Sequence, residues 1–527
     1  MKIRLIILGI CCLFLTQSCD DKLDITPDDG LGSATLYQNE AGATAGLMGV
    51  YSRIVAAYRE SIINGMYPSA GTDEGFENRS VNRFFLEYSY STNNIQILDA
   101  WTLLYEGVYA ANIMLAELEK STGITEEKKM PLAAEARFLR AFLLFDLQKN
   151  FGGIQGIPLP TETTLKELLP RTPGTEVYAQ IIADLEYAAE HLPDITEAAP
   201  GRASRDAAWA LLARVSLHRA GAPFTNDGDY YTKARDWAKM VIDNGYQELN
   251  PSYEEVFNNL ARERYDTKEV LFQIGFFFGN QDQNQSGKLG STMGMRVDDG
   301  SCGNRGYGLI SVAISLTEAY RNDRDDERGV WNASPFYIPN RNNCEYAPSF
   351  NQIAYAASKY RRVLESGGTG SYGPHHYPVM RYSDVLLMYA EAENELNPGS
   401  PEALAAVNQV RARANATPRV GPITADTIYE ERRLELCFEG LRRYDLVRWG
   451  LLDDKVQETL AALRAADGSV NTDWPIYGTG DPEVRTNTLE PYYLDSYLNF
   501  QDGKHQLLPI PEQEIGANDL VTQNPEW

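Results

Sequence analysis

Apolar side chains recur at steps of three and four residues from Asn39 to about residue 262. Only a helix, at 3.6 residues per turn, gathers such a series onto one face. This half of the chain must therefore form amphipathic helices that bury those faces against one another. Trp101, Leu104, Tyr105, Val108, Ala111 and Asn112 make one stripe, and Ala134, Phe138, Ala141, Leu144 and Phe145 make another within Leu132 to Lys149. Gly152-Gly153 stops that second helix. Further helices are expected at 174–192, 203–220 and 230–244, each closed by glycine or proline signals.

Several helices come in pairs of hairpin length. Trp209, Leu212 and Ala213, followed by Ala234 and Ala238, are similar to the tetratricopeptide pattern with a longer turn. Val385 to Leu396 followed by Pro401 to Ala414 is a second such pair. A generic helical bundle would carry the same spacing. Residues 265–380 break the pattern. Glu269-Val-Leu-Phe-Gln-Ile-Gly-Phe reads as a strand, and 278–308 is rich in Gly, Asn, Asp and Gln with scattered aromatics. So long an irregular stretch in a packed protein points to a functional surface. Helices return over 382–449, and 465–505 is again loop-rich. The fold expected is mainly α: tetratricopeptide-like helix pairs as a scaffold, with long irregular loops and a few short strands.

Residues 1–18 stand apart from the fold. Lys2 and Arg4 precede an unbroken apolar or small run from Leu5 to Leu15, of signal-peptide length and too short to span a bilayer. Leu15-Thr16-Gln17-Ser18-Cys19 then resembles a lipoprotein processing box, in which the Cys19 thiol is acylated, for example with palmitate, and becomes the new N-terminus. Thr16 stands where such boxes carry a large apolar residue, which leaves ordinary signal-peptide cleavage as the alternative. Asp20 and Asp21 after the cysteine resemble an export tag to the outer face. Residues 19–35, with Pro27, Gly30 and Gly32, read as a tether.

Among 527 residues the net charge is -25, and losing Lys2 and Arg4 makes it more negative. Such a chain repels phosphate backbones, so nucleic acid is not an expected partner. Six cysteines are present. Cys11 and Cys12 leave with the signal; Cys302 and Cys344 could bridge in an oxidising compartment; Cys437 lies in a helical pattern and reads as a small buried residue. No HExxH, GxSxG or P-loop motif is present and no GxGxxG follows a strand, so neither catalysis nor a cofactor is expected. His375-His376 lacks the i, i+4 spacing of a chelating helix face and reads as solvent-facing or structural. Asp323, Asp325, Asp326 and Glu327 lack calcium-loop spacing, and the interleaved Arg321, Arg324 and Arg328 favour ion pairing. With 73 acidic residues, a carboxylate pair for glycoside hydrolysis stays open.

A series of phrases, taken in order, carries a family resemblance. They are Cys19-Asp-Asp-Lys-Leu-Asp, Ala134-Glu-Ala-Arg-Phe-Leu-Arg-Ala-Phe with Asn150-Phe-Gly-Gly, and Val177-Tyr to Asp184-Leu-Glu. Gly201-Arg-Ala-Ser, Arg381-Tyr-Ser-Asp-Val-Leu-Leu-Met-Tyr-Ala-Glu-Ala, Glu431-Arg-Arg-Leu-Glu-Leu to Arg448-Trp-Gly, Leu508-Pro-Ile-Pro and Gln523-Asn-Pro follow. Jointly these resemble the SusD/RagB family of nutrient-binding outer-membrane lipoproteins over essentially the whole mature chain. Ile154-Gln-Gly-Ile and the ending Glu526-Trp527 depart from the family pattern.

The resemblance implies a signal peptide (1–18), a lipid-anchored tether (19–35) and one ligand-binding domain (36–527). That domain comprises a part to about 262, a loop-rich part at about 263–380 and a helical part from about 381. It also implies a surface-exposed place on the outer membrane and a partner, a SusC-like TonB-dependent transporter, to which a glycan is delivered. The alternatives are a peptide-binding lid of the same fold and a surface glycoside hydrolase. Sugar rings need aromatic faces, and their hydroxyls need planar polar groups. In the family these come from loops away from the helix pairs. Two loops here fit, Thr72 to Arg79 continuing to Tyr90, and Phe276 to Tyr307. Phe76, Tyr90, Phe278 and Tyr307 are the expected platforms, with Asp73 and Arg79 as hydroxyl partners. The competing reading makes Phe276 to Phe278 strand-end core and pairs Asp73 with Arg79.

Overall fold

The computed structural model describes residues 36–78, 84–153, 168–224, 226, 228–278, 285–298, 304–339, 345–349, 351–368, 370–471 and 485–527. Cys19, Arg79, Cys302 and Cys344 lie outside the described residues. The principal helices are α1 (Glu40–Tyr58), α2 (Ile95–Lys120), α3 (Glu126–Phe151), α4 (Gly174–His191), α5 (Arg205–Ala220), α6 (Tyr230–Asn244) and α7 (Tyr253–Ala261). They continue with α8 (Ile314–Arg321), α9 (Tyr382–Leu396), α10 (Pro401–Arg413), α11 (Ala425–Leu436), α12 (Arg442–Arg448) and α13 (Leu452–Ala466). Their starts follow from side chains that satisfy the first free backbone N–H groups. Asn39 accepts from Gly42, Asn94 from Gln96 and Ile97, Ser204 from Ala207, and Thr424 from Thr427.

The helices form one row. From α1 through α6 each packs on its predecessor; α9 then packs on α6 and carries α10 and α11. The chain leaves the row after α6 and rejoins it at α9. The mainly helical expectation holds, and the stripes read from spacing face inward: Trp101, Leu104, Val108, Ala134, Phe138, Ala141, Leu144 and Phe145 are all buried. One continuous cluster of buried apolar side chains runs from Tyr37 to Val521.

The excursion between α6 and α9 builds most of the strands, and the segment between α1 and α2 adds one more. β2 (Val270–Ile274) pairs antiparallel with β8 (Tyr377–Arg381) across an irregular register. A second sheet has the order β1-β3-β7-β4, with β1 (Gly75–Glu77), β3 (Ile310–Val312), β4 (Ala333–Ser334) and β7 (Ala356–Ala357). β5 (Phe336–Tyr337) and β6 (Ala347–Pro348) form a short ribbon. His375 and His376 are buried, which fits the structural alternative and not the solvent-facing one; the His376 ring pairs with the Gln273 amide at 2.7 Å.

Beneath the last helices lies a lattice of buried ion pairs. Arg381 reaches Glu269 at 2.8 Å, Glu435 at 3.0 Å and Glu439 at 2.6 Å. Arg328 reaches Asp326 at 2.8 Å, Glu431 at 2.7 Å and Glu435 at 3.1 Å, so Asp326 belongs to this lattice. Arg411 joins Glu431 to Asp323, and Arg432 joins Asp384 to Asp445. Charges inside a protein persist only when they are paired and hydrogen-bonded. Here every carboxylate meets at least one guanidinium, and Asp326 and Glu439 are each gripped by a two-pronged fork, the geometry that suits them best. Cys437 is fully buried beside this lattice, as its helical setting suggested.

Candidate functional site

One guanidinium organises the loops between α7 and β8. Arg362 is buried and donates from Nη1 to the backbone oxygens of Arg305, at 2.7 Å, and Gly370, at 2.8 Å. From Nη2 it donates to the Tyr372 oxygen at 2.9 Å, and from Nε to Glu365 at 3.0 Å. Two loops, 304–307 and 365–372, are thus tied to one side chain. The Asn304 amide adds bonds to Glu365 and to the Gly367 oxygen. Gly373 pairs with Gly287 and passes so close to Glu365 that a Cβ would lie 2.3 Å from its carboxylate, so a side chain there would have to push Glu365 off Arg362.

Aromatic rings stand on this frame. Phe277 and Phe278 are 40% and 37% exposed, unusual for Phe beside a buried strand end. Phe277 sits edge-on to His376, and Phe278 lies against Gly367. Tyr307 is half-buried; its hydroxyl bonds Ser371 at 2.9 Å and the Arg305 guanidinium lies 5.1 Å over its ring. Tyr372 is half-buried between Arg59 and Lys288, and donates to Glu60 at 2.9 Å. Alongside, Val297 bridges both Gly306 and Ile338, and β5 pairs with β6. That ribbon adds Tyr337, under the Arg296 guanidinium at 5.1 Å, and Tyr346, 53% exposed. The surface offers flat apolar faces beside amide, hydroxyl and guanidinium groups, which is the chemistry that grips a polyol ring.

Of the residues expected from sequence, Phe278 and Tyr307 stand on this surface. Asp73, Phe76 and Tyr90 do not. Asp73 is buried and forked by Arg442 at 2.9 and 2.7 Å. Burial alone would raise its carboxyl; Arg442, with Arg433 behind it, outweighs burial and holds it at about 2. Asp73 thus has an arginine partner, but from α12 rather than Arg79. Phe76 lies in β1, fully buried against Tyr493 and Tyr497. Tyr90 is buried, stacked on Trp527 at 5.2 Å and edge-on to His505. Of the Phe276 to Phe278 run, only Phe276 is core. Asn304, Ser371 and Tyr372 were not singled out by spacing; the glycines at 367, 368, 370 and 373 around them are the signal that was available.

The SusD family model matches residues 330–527, and a second, described as starch-binding associating with outer membrane, matches 23–217. SusD-like protein P2 of Formosa agariphila is 30% identical over 76% of this chain and 75% of its own. This chain belongs to the SusD/RagB family. A crystal structure of a SusD homolog from Bacteroides thetaiotaomicron superposes with TM-score 0.81 at 24% identity, covering 94% of this chain and 98% of that one. A laminarin-binding SusD-like protein superposes with TM-score 0.69 at 23% identity over 93% and 100%. The starch-binding protein SusD of Bacteroides thetaiotaomicron is 24% identical over 63% of this chain and 67% of its own.

Proposed function

We propose that this SusD-like protein captures a glycan on the loop surface framed by Arg362 and passes it to a SusC-like TonB-dependent transporter, while an acylated Cys19 holds it on the outer face of the outer membrane. The observation that carries the reading is the pair of exposed rings Phe277 and Phe278, set beside Asn304, Tyr307 and Tyr372 on loops cross-tied to one buried side chain. A frame of that kind holds its rings in place before ligand arrives, which lowers the ordering cost of binding. The laminarin-binding neighbour supports a carbohydrate ligand. Phe278 and Tyr307 are the proposed ring platforms; Arg79 remains a proposed hydroxyl partner.

Electrophoresis through gels containing single polysaccharides tests this. At least one polymer is expected to retard the protein without release of new reducing ends. Phe278→Ala is expected to abolish the retardation while leaving the unfolding temperature unchanged. Displacement of ligand by oligopeptides but not oligosaccharides would transfer the site to peptides. Steady release of sugars by the pure protein would make it a hydrolase.

A further inference from the structure

The charges on the loop surface narrow the glycan class. Arg296 is exposed but forked onto Asp298 at 2.6 and 3.0 Å. Arg362 is occupied by Glu365 and three backbone oxygens. Arg305 is different. It is exposed, its guanidinium lies over the Tyr307 ring, and it has no carboxylate partner among the described residues. That is notable in a chain with 73 acidic residues against 48 basic ones.

Its surroundings add to the effect. Lys288 and Arg59 flank Tyr372, whose neighbour Ser371 bonds Tyr307. Of the nearby carboxylates, Glu60 is taken by Lys288 and Tyr372, Asp298 by Arg296, and Glu365 is buried on Arg362. Glu263 stands at the rim and accepts from Ser366. A guanidinium stacked on a ring keeps its in-plane N–H donors free for two oxygens of one anionic group. Phe278 and Asn304 both touch Gly367, and Arg305 follows Asn304 in the chain. Phe278 and Arg305 therefore belong to one tied set of loops, which a glycan laid across it would meet together.

We infer that the glycan is anionic, and that Arg305 binds its uronate carboxylate or sulfate ester. This rests on the glycan-binding reading above. The two anions share the chemistry of paired acceptor oxygens, and the probes separate them.

The test uses polygalacturonate, a carrageenan, and the neutral polymers laminarin and agarose, with affinities measured at low and high salt. The acidic protein repels polyanions at long range, so retention of one reports a local site. Wild type is expected to bind polygalacturonate or carrageenan more tightly than either neutral polymer. Arg305→Gln is expected to weaken that binding about 10- to 100-fold, the range for a lost charged hydrogen-bonded partner, and to remove most of its salt dependence. Arg305→Lys keeps the charge without the fork and falls between. Polygalacturonate alone identifies the carboxylate, carrageenan alone the sulfate. A neutral polymer held as well by Arg305→Gln as by wild type, and lost in Phe278→Ala, overturns the anionic assignment while the glycan site stands. Failure to bind any of the four overturns both.

Discussion

Glu435 sits where three arginines converge, and replacing it with glutamine measures what that convergence contributes. One carboxylate oxygen accepts from Arg381 at 3.0 Å and from Arg413; the other accepts from Arg328 at 3.1 Å, and the side chain is wholly buried. Glutamine preserves the shape but removes the charge and turns an NH2 group toward guanidinium donors. Glu269, Glu439, Glu431 and Asp326 still serve the arginines in part. Breaking a buried pair in this way costs about 3–5 kcal/mol. Unfolding entropy of ~2.1 cal/mol/K per residue gives ~1 kcal/mol/K for a chain near 500 residues, so Tm is expected to fall by about 3–5 °C. Arg53→Ala is the control. Its ion pair with Glu106 is 2.7 Å long but 52% and 44% exposed, and such pairs contribute about 0–1 kcal/mol. Calorimetry on both variants reads the difference. The pH dependence adds a check. Burial would raise the Glu435 carboxyl, but Arg413, Arg381 and Arg328 outweigh it and hold it far below the usual carboxylate range. A depressed folded-state pKa gives stability that is complete above the unfolded value and is lost as pH falls toward the folded one. The gap between wild type and Glu435→Gln should therefore be full at neutral pH and narrow below about pH 4.3. Equal Tm shifts for Glu435→Gln and Arg53→Ala would refute the reasoning.

Other outcomes follow from single residues. Phe76→Ala should cost about 3–5 kcal/mol by opening a cavity against Tyr493 and Tyr497, with loss of Tm in calorimetry, whereas an unchanged Tm would return Phe76 to the ligand surface. Burial pushes Glu74 up to about 8 against the Phe438 N–H it accepts, so the folded protein holds an extra proton and loses stability from about pH 4.5 to about pH 8; Glu74→Gln should flatten that slope in a Tm–pH series. Burial likewise pushes the Cys437 thiol up to about 12, and peptide mapping should find it unmodified by iodoacetamide until denaturant is added. Cys19→Ala should move the protein from carbonate-washed membranes to the soluble fraction, and retention would refute the lipid anchor.

What could be read from residue order alone follows from the range of the forces involved. Ala134 to Phe145 declares its helix because the neighbours that create the stripe are three and four positions away. β1 does not: Gly75, Phe76 and Glu77 are all buried, so no alternation marks a strand, and the segment reads as a loop with a ring to display. Asp73 needs Arg442, and Tyr90 needs Trp527; separations of that size leave no local trace. The charged phrases from Arg381 and Glu431 signal a family, yet their charges would ordinarily belong on a solvated face. Their burial becomes visible only when both helices are seen around one set of carboxylates. On the loop surface, Phe278 and Tyr307 were within reach because glycine-rich sequence with aromatics is already a poor core. Tyr372 was not, since its role depends on Arg59 and Lys288 arriving from elsewhere.

Arg362 has one further consequence. Three of its four bonds go to main-chain carbonyls, which every residue possesses. The clasp is therefore indifferent to which side chains stand at 305 and 372, while Gly370 is held by its own left-handed backbone, φ 55°. Substitutions at those two positions can change what the surface presents while the loops keep their course, so the chemistry displayed and the shape that displays it are separable.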